Sequence, residues 1–226
     1  MKRELRRWEI VGFIATGLFG TLLHFVYEWT GGNRVIAVFS AVNESTWEHM
    51  KLLFIPFLVF TVVEFIVFSE AFRNFFAVKA ASILLGLVSI PALFYTLTGM
   101  FGKLPDWVNI TIFFLADALL YFVSYRLLTD GALRGGAMQL IGFVLLWALL
   151  FAFVWFTYRP LHLPLFLDPV SGCYGLETPC LKRPCRDRQG LYSFYTNSIF
   201  CRASAKCVCR KALVIRQNGK NKNQQT

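Results

Sequence analysis

Five stretches of this chain, 8–29, 52–69, 79–98, 107–125 and 137–158, are each long and apolar enough to cross a bilayer. A hydrocarbon layer about 30 Å thick takes about 20 helical residues per crossing. It offers no water to backbone N–H and C=O groups, so a single segment can enter it only with its hydrogen bonds closed inside a helix. The expected fold class is therefore all-α, a polytopic integral membrane helical bundle of about five transmembrane helices over residues 1–175, with four or six crossings as the neighbouring counts. Composition agrees: 56% of residues are hydrophobic, 24 are Phe, only 16% are charged and the mean hydropathy is +0.53, whereas a soluble domain carries roughly a quarter charged residues. The stretch from Val35 to Val42 is apolar but too short to span, and is expected to lie in the interface or to dip in as a re-entrant piece.

Lys2, Arg3, Arg6 and Arg7 precede the first apolar stretch. A cleaved signal peptide is disfavoured because the stretch is long, no small-x-small site follows it, and four more apolar segments come after. The same basic group predicts a cytoplasmic N-terminus in the cell membrane, since short loops rich in Lys and Arg stay inside. Arg73, Lys79, Arg126 and Arg134 then border inner loops, and Arg34, Lys51, Lys103 and Arg159 fall outside. Trp8, Trp29, Trp47, Trp107 and Tyr158 fall near helix ends, where interfacial aromatics belong.

After Gly175 the chain changes character. All six cysteines (Cys173, Cys180, Cys185, Cys201, Cys207 and Cys209) lie from position 173 onward, and eleven Lys or Arg stand against Glu177 and Asp187. Their spacing matches no zinc pattern of paired C-x-x-C knuckles. A disulfide-bonded extracellular tail and a basic segment drawn to anionic surfaces are two readings. The favoured one for 176–226 is a disordered tail, or an aberrant one produced by a shifted reading frame.

The chemistry-bearing residues concentrate in the first third. Gly12, Thr16, Gly20, His24 and Glu28 recur every four residues, placing small and then ionisable groups on one inclined ridge of the first helix. Small residues at that spacing let bilayer helices approach closely, so the ridge is expected to face the bundle interior. Next comes the block Asn43-Glu44-Ser45-Thr46-Trp47-Glu48-His49-Met50-Lys51. Ser45 and Glu48 have capping-box spacing, with Ser45 as N-cap of the second helix and Glu48 reaching back to its N–H. That accounts for Glu48 and leaves Asn43, Glu44 and His49 as candidate ligands or proton carriers.

With five crossings, His24, Glu28, Asn43, Glu44 and His49 share one face of the membrane with His162 and Asp168. The candidate catalytic set is His24, Glu28, Asn43, Glu44 and His49; the candidate metal ligands are His24, Glu28, Glu44, His49, His162 and Asp168. Glu64 and Asp117 are ionisable groups inside predicted spans, where charge is costly and points to function or to a partner.

His24-Phe-Val-Tyr-Glu28-Trp29, the Asn43 to Lys51 block and Pro164-Leu-Phe-Leu-Asp168-Pro-Val-Ser-Gly172-Cys-Tyr-Gly175 resemble an uncharacterised family of bacterial multi-pass membrane proteins, the domain of unknown function 6512 family. The resemblance covers about Arg7 to Gly175. It implies a membrane location and no activity, and it treats the sequence after Gly175 as foreign to the family.

Three functional classes follow. One is a metal-dependent membrane-embedded hydrolase, with His24, His49 and His162 as imidazole ligands and Glu28 or Glu44 as ligand or base. Another is a proton- or cation-coupled small-solute transporter using Glu64 and Asp117, with helices broken at Pro56 and Pro91. The third is an assembly protein whose polar groups pair helix with helix, Glu64 or Asp117 meeting Lys79 or Arg126. Membrane lipid is the expected partner and nucleic acid is not. Neither a cofactor nor a protein partner follows from the residues, and whether the chain is an enzyme stays open.

Overall fold

The computed structural model describes residues 2–68 and 71–176 and, beyond them, the backbone at 185–186 and 192–193. It divides into two units, 1–178 and 179–226. In the second, β1 (Cys185–Arg186) pairs antiparallel with β2 (Tyr192–Ser193). The disorder or frame shift expected for 176–226 otherwise falls outside the described residues.

The first unit consists of five helices: α1 (Lys2–Trp29), α2 (Thr46–Phe68), α3 (Phe75–Phe101), α4 (Asp106–Asp130) and α5 (Gly136–Tyr158). All five are long and apolar enough to cross a membrane; even the 23 residues of α2 and of α5 reach about 35 Å at 1.5 Å per residue. Each helix begins earlier than its expected run, by a polar first turn or more in α1 and α2 and by the apolar Phe75-Phe76-Ala77-Val78 in α3. In α1 the extension to Lys2 carries Glu9 well inside the helix, and in α2 the Ser45 cap moves the start to Thr46. The short apolar stretch after Val35 forms only a 3-10 turn, Ile36–Val38, in the α1–α2 connection.

Helix α3 packs against α2, α4 and α5, while α1 lies across α2 and α4. Leu53, Phe54, Phe57, Ile83, Leu120 and Phe153 form the centre of the core. Ile14, Leu18, Val59, Val62, Ile66, Leu115 and Val144 point outward, where a soluble protein would place polar groups. At the α3–α5 crossing, a Cβ on Gly142 would stand 2.6 Å from the Ala77 backbone, the close approach small residues permit in lipid.

Both prolines lie inside continuous helices, so the broken helices expected at Pro56 and Pro91 are not formed. A proline at position 56 frees the carbonyl of Leu52 one turn earlier. Gly20 of α1 faces that carbonyl so closely that a Cβ would stand 2.8 Å from Leu52 O. The glycine hydrogen in that direction points at the freed oxygen, a weak C–H···O contact that a neighbouring helix supplies in place of the lost bond.

Lys51, expected in an outer loop, is instead fully buried. Its ammonium meets Glu48 Oε2 at 2.6 Å, Ala37 O at 2.7 Å and Thr157 Oγ1 at 3.1 Å. Three donors find three acceptors, one of them an anion, so the charge is neutralised and the hydrogen-bonding capacity filled. The contacts join the α1–α2 connection, α2 and α5. Trp47 works beside them: its ring lies 4.6 Å from that of Phe153 and 4.7 Å from that of Phe166, clamping the segment after α5 rather than anchoring in the interface. Replacing Lys51 by Met should leave Glu48 buried and uncompensated and destabilise the bundle by about 3–5 kcal/mol. Thermal unfolding in detergent should show a large fall in Tm for Lys51→Met, partly recovered in Lys51→Met/Glu48→Gln.

Candidate functional site

The α1–α2 connection is built so that most polar residues of the Asn43 to Lys51 block are consumed by backbone. Asn43 Oδ1 accepts the Ser45 N–H at 3.0 Å, and its Nδ2 donates to Gly175 O at 3.3 Å. Ser45 caps α2, its hydroxyl accepting the Glu48 N–H at 3.4 Å. Glu48 does not reach back to the Ser45 N–H as capping-box spacing suggested. Its Oε2 accepts from Val42 N at 3.1 Å and faces Lys51, because the buried ammonium needs a counter-charge more than the cap needs a second bond.

Ser40 fixes the other side. Its hydroxyl accepts the Tyr27 N–H at 2.9 Å and donates to Leu23 O. These are the two groups that would bond each other in an uninterrupted helix, so Ser40 is inserted into the α1 ladder on the turn that carries His24.

Two candidates of the block remain unconsumed, Glu44 and His49, and both face His24. Glu44 Oε1 lies 3.4 Å from His24 Nε2, and Oε2 lies 3.7 Å from His49 Nε2. The imidazole rings are 5.6 Å apart. The three potential ligand atoms fall within 4.8 Å of one another. His49 Nδ1 lies 3.0 Å from Ser45 O, and a carbonyl can only accept, so Nδ1 carries the hydrogen. In the neutral ring Nε2 is then a bare lone pair turned toward a carboxylate. A cation between them would be held by both lone pairs. A backbone carbonyl that accepts from one ring nitrogen and so frees the other is how protein imidazoles are prepared as metal ligands.

The remaining candidates lie elsewhere. Glu28 is exposed on the turn after His24, its carboxylate without a partner among the described residues. His162 is exposed and packs against Tyr174, ring centres 4.9 Å apart. Asp168 is buried and holds its own loop, Oδ1 accepting Val170 N at 2.8 Å and Oδ2 the Ser171 hydroxyl at 2.5 Å. His162 and Asp168 share the face but not the cluster.

A second polar group lies nearer the opposite ends of the helices. Lys79 of α3, fully buried, meets Glu9 Oε1 of α1 at 3.0 Å and Glu64 Oε2 of α2 at 2.5 Å. Ser124 of α4 donates to Glu9 Oε1 at 2.7 Å. Four helices thus meet at one charge layer. The pairing of Glu64 with Lys79 was among the sequence expectations; Arg126 is exposed. Glu9 was missed, because the first helix was expected to begin at Trp8, whereas it begins at Lys2 and carries Glu9 inside it. Between the two groups Thr16 and Tyr121 share a hydrogen bond of 2.8 Å, and Asp117 of α4 is fully buried with both oxygens lacking a hydrogen-bond partner. The ridge of α1 faces inward through Gly12, Thr16 and Gly20 and reaches the cluster at His24; only Glu28 turns away.

Five long apolar helices and an inward-facing polar ridge describe a multi-pass membrane protein. No curated protein and no solved structure matches the chain. The model of a family of unknown function, DUF6512, matches residues 1–176, a span that contains all five helices and both polar groups, and the chain belongs to that family.

Proposed function

We propose that this domain is a metal-dependent membrane hydrolase whose centre is His24, Glu44 and His49. The observation that carries the reading is the convergence of these three side chains, with the tautomer of His49 set by Ser45. Two imidazoles and one carboxylate form a common ligand set of catalytic zinc, and three protein ligands leave a position for water. A bound metal would supply Lewis acidity and a water activated near neutral pH.

The substrate class follows from depth. His24 sits five residues from the end of α1, about 7 Å along the axis. Trp29, Phe25 and Phe39 are exposed around it, the aromatic setting of the headgroup boundary. A lipid ester at that depth is the proposed substrate. The basic N-terminal segment supports a cytoplasmic N-terminus in the cell membrane, and five crossings then put the metal centre at the outer surface.

Purified protein equilibrated with zinc should hold one ion per chain, and His24→Ala or His49→Ala should remove it. Asn43→Ala, which loosens the Ser45 turn, should weaken zinc binding about 10–100-fold. Wild-type protein that stays zinc-free after equilibration contradicts the proposal. Zinc-loaded wild type should hydrolyse a lipid ester and His49→Ala should not; no hydrolysis by the zinc-loaded wild type would contradict the proposed substrate class.

A further inference from the structure

The charge layer at Lys79 differs from the one at Lys51 in a way that calls for another ligand. At Lys51 one ammonium meets one carboxylate. At Lys79 one ammonium meets two, Glu9 and Glu64, so with every group ionised this buried layer carries a net negative charge. Glu9 Oε2 and Glu64 Oε1 are both buried and lack a hydrogen-bond partner. Two turns along α4 from Ser124, Asp117 adds two more buried oxygens without one. Tyr121 lies between them on the same face of α4, its hydroxyl on Thr16 and its ring 5.7 Å from the Lys79 ammonium.

We propose that Asp117 and the Glu9–Lys79–Glu64 layer form a proton-exchange site inside the bundle. The inference is independent of the metal centre, since no residue is shared. In uptake hydronium gives a proton to a carboxylate oxygen, one O–H bond breaking to leave water as another forms on the acid, and release returns the proton to water by the reverse exchange. The proton arriving in the layer cancels the charge that Lys79 leaves uncompensated. The groups facing the site are Glu9 and Thr16 from α1, Glu64 from α2, Lys79 from α3, and Asp117, Tyr121 and Ser124 from α4.

A proton fits this site better than a metal ion. Phe57, Phe75 and Tyr121 surround Lys79, with ring centres 5.8, 5.7 and 5.7 Å from its nitrogen. Such walls offer no ring of oxygens to replace the hydration shell of sodium or magnesium. Leu5, Phe68, Phe72, Val78 and Leu128 form a buried apolar plug at the adjoining end of the bundle. Exchange with water from that end requires the plug to open, which is the behaviour of a gated proton carrier rather than an open pore.

Infrared difference spectra of the full-length protein in lipid, recorded between acidic and alkaline buffer, test the site directly. Wild type should show the carbonyl band of a buried carboxylic acid. That band should lose intensity in Asp117→Asn and Glu64→Gln and be regained in Asp117→Glu, with helix content and elution volume unchanged in each variant. In vesicles carrying an internal pH indicator, an imposed pH gradient should collapse faster with wild type than with Asp117→Asn. A spectrum without a buried carboxylic acid band, or a band and a proton flux indifferent to Asp117, Glu64 and Glu9 alike, overturns the proposal. A band that responds to sodium at constant pH overturns it in favour of a cation site.

Discussion

Inside a bilayer a charged side chain has only its own protein for solvent. Two lysines illustrate how this chain meets the constraint. Lys51 is surrounded by one carboxylate, one carbonyl and one hydroxyl, which together exhaust its donors and cancel its charge. Nothing is left over, and the group acts as a staple for three parts of the fold. Lys79 is equally buried, but its two carboxylates outnumber it and keep free oxygens. Since an uncompensated buried charge costs several kcal/mol, the surplus marks a place where something else binds.

The same constraint shapes the backbone. Pro56 opens the α2 ladder at Leu52, and Gly20 closes on the freed carbonyl from α1. Ser40 enters the α1 ladder between Leu23 and Tyr27 and satisfies both. Gly20 lies one turn before His24 and the Ser40 contacts bracket it, so the position of that imidazole is set by polar repairs to the helix ladders rather than by propensity. The polar cluster and the fold are in this sense one construction: the residues that position His24, Glu44 and His49 are those that keep the helix ends from leaving unmet hydrogen bonds.

Much of this was legible in the sequence, and the limits are physical. The five helices and the inward ridge of α1 follow from apolar run length and four-residue spacing, both local properties. His24, Glu44 and His49 stood out because ionisable groups beside a span are rare. Their separation from His162 and Asp168 was not legible, since sharing a membrane face does not fix distance within it; Asp168 turns out to bind its own loop. Glu48 was assigned to a cap because capping is local, whereas its actual partner, Lys51, had to be recognised as buried. Reading Lys51 as a loop charge concealed that. Glu9 was hidden because the helix was taken to begin only one residue before it, and an acid at a helix start needs no partner. The prolines misled in the opposite direction: their effect on the ladder depends on whether another helix can approach, and Gly20 lies thirty-six residues away in sequence.

The central claim is that His24, Glu44 and His49 converge to hold one divalent ion. Crystals of the zinc-loaded protein measured on both sides of the zinc absorption edge address it most directly. The account predicts a single anomalous peak at bonding distance from both imidazole Nε2 atoms and a Glu44 oxygen. The three side chains turned away from one another, with no such peak between them, would contradict it.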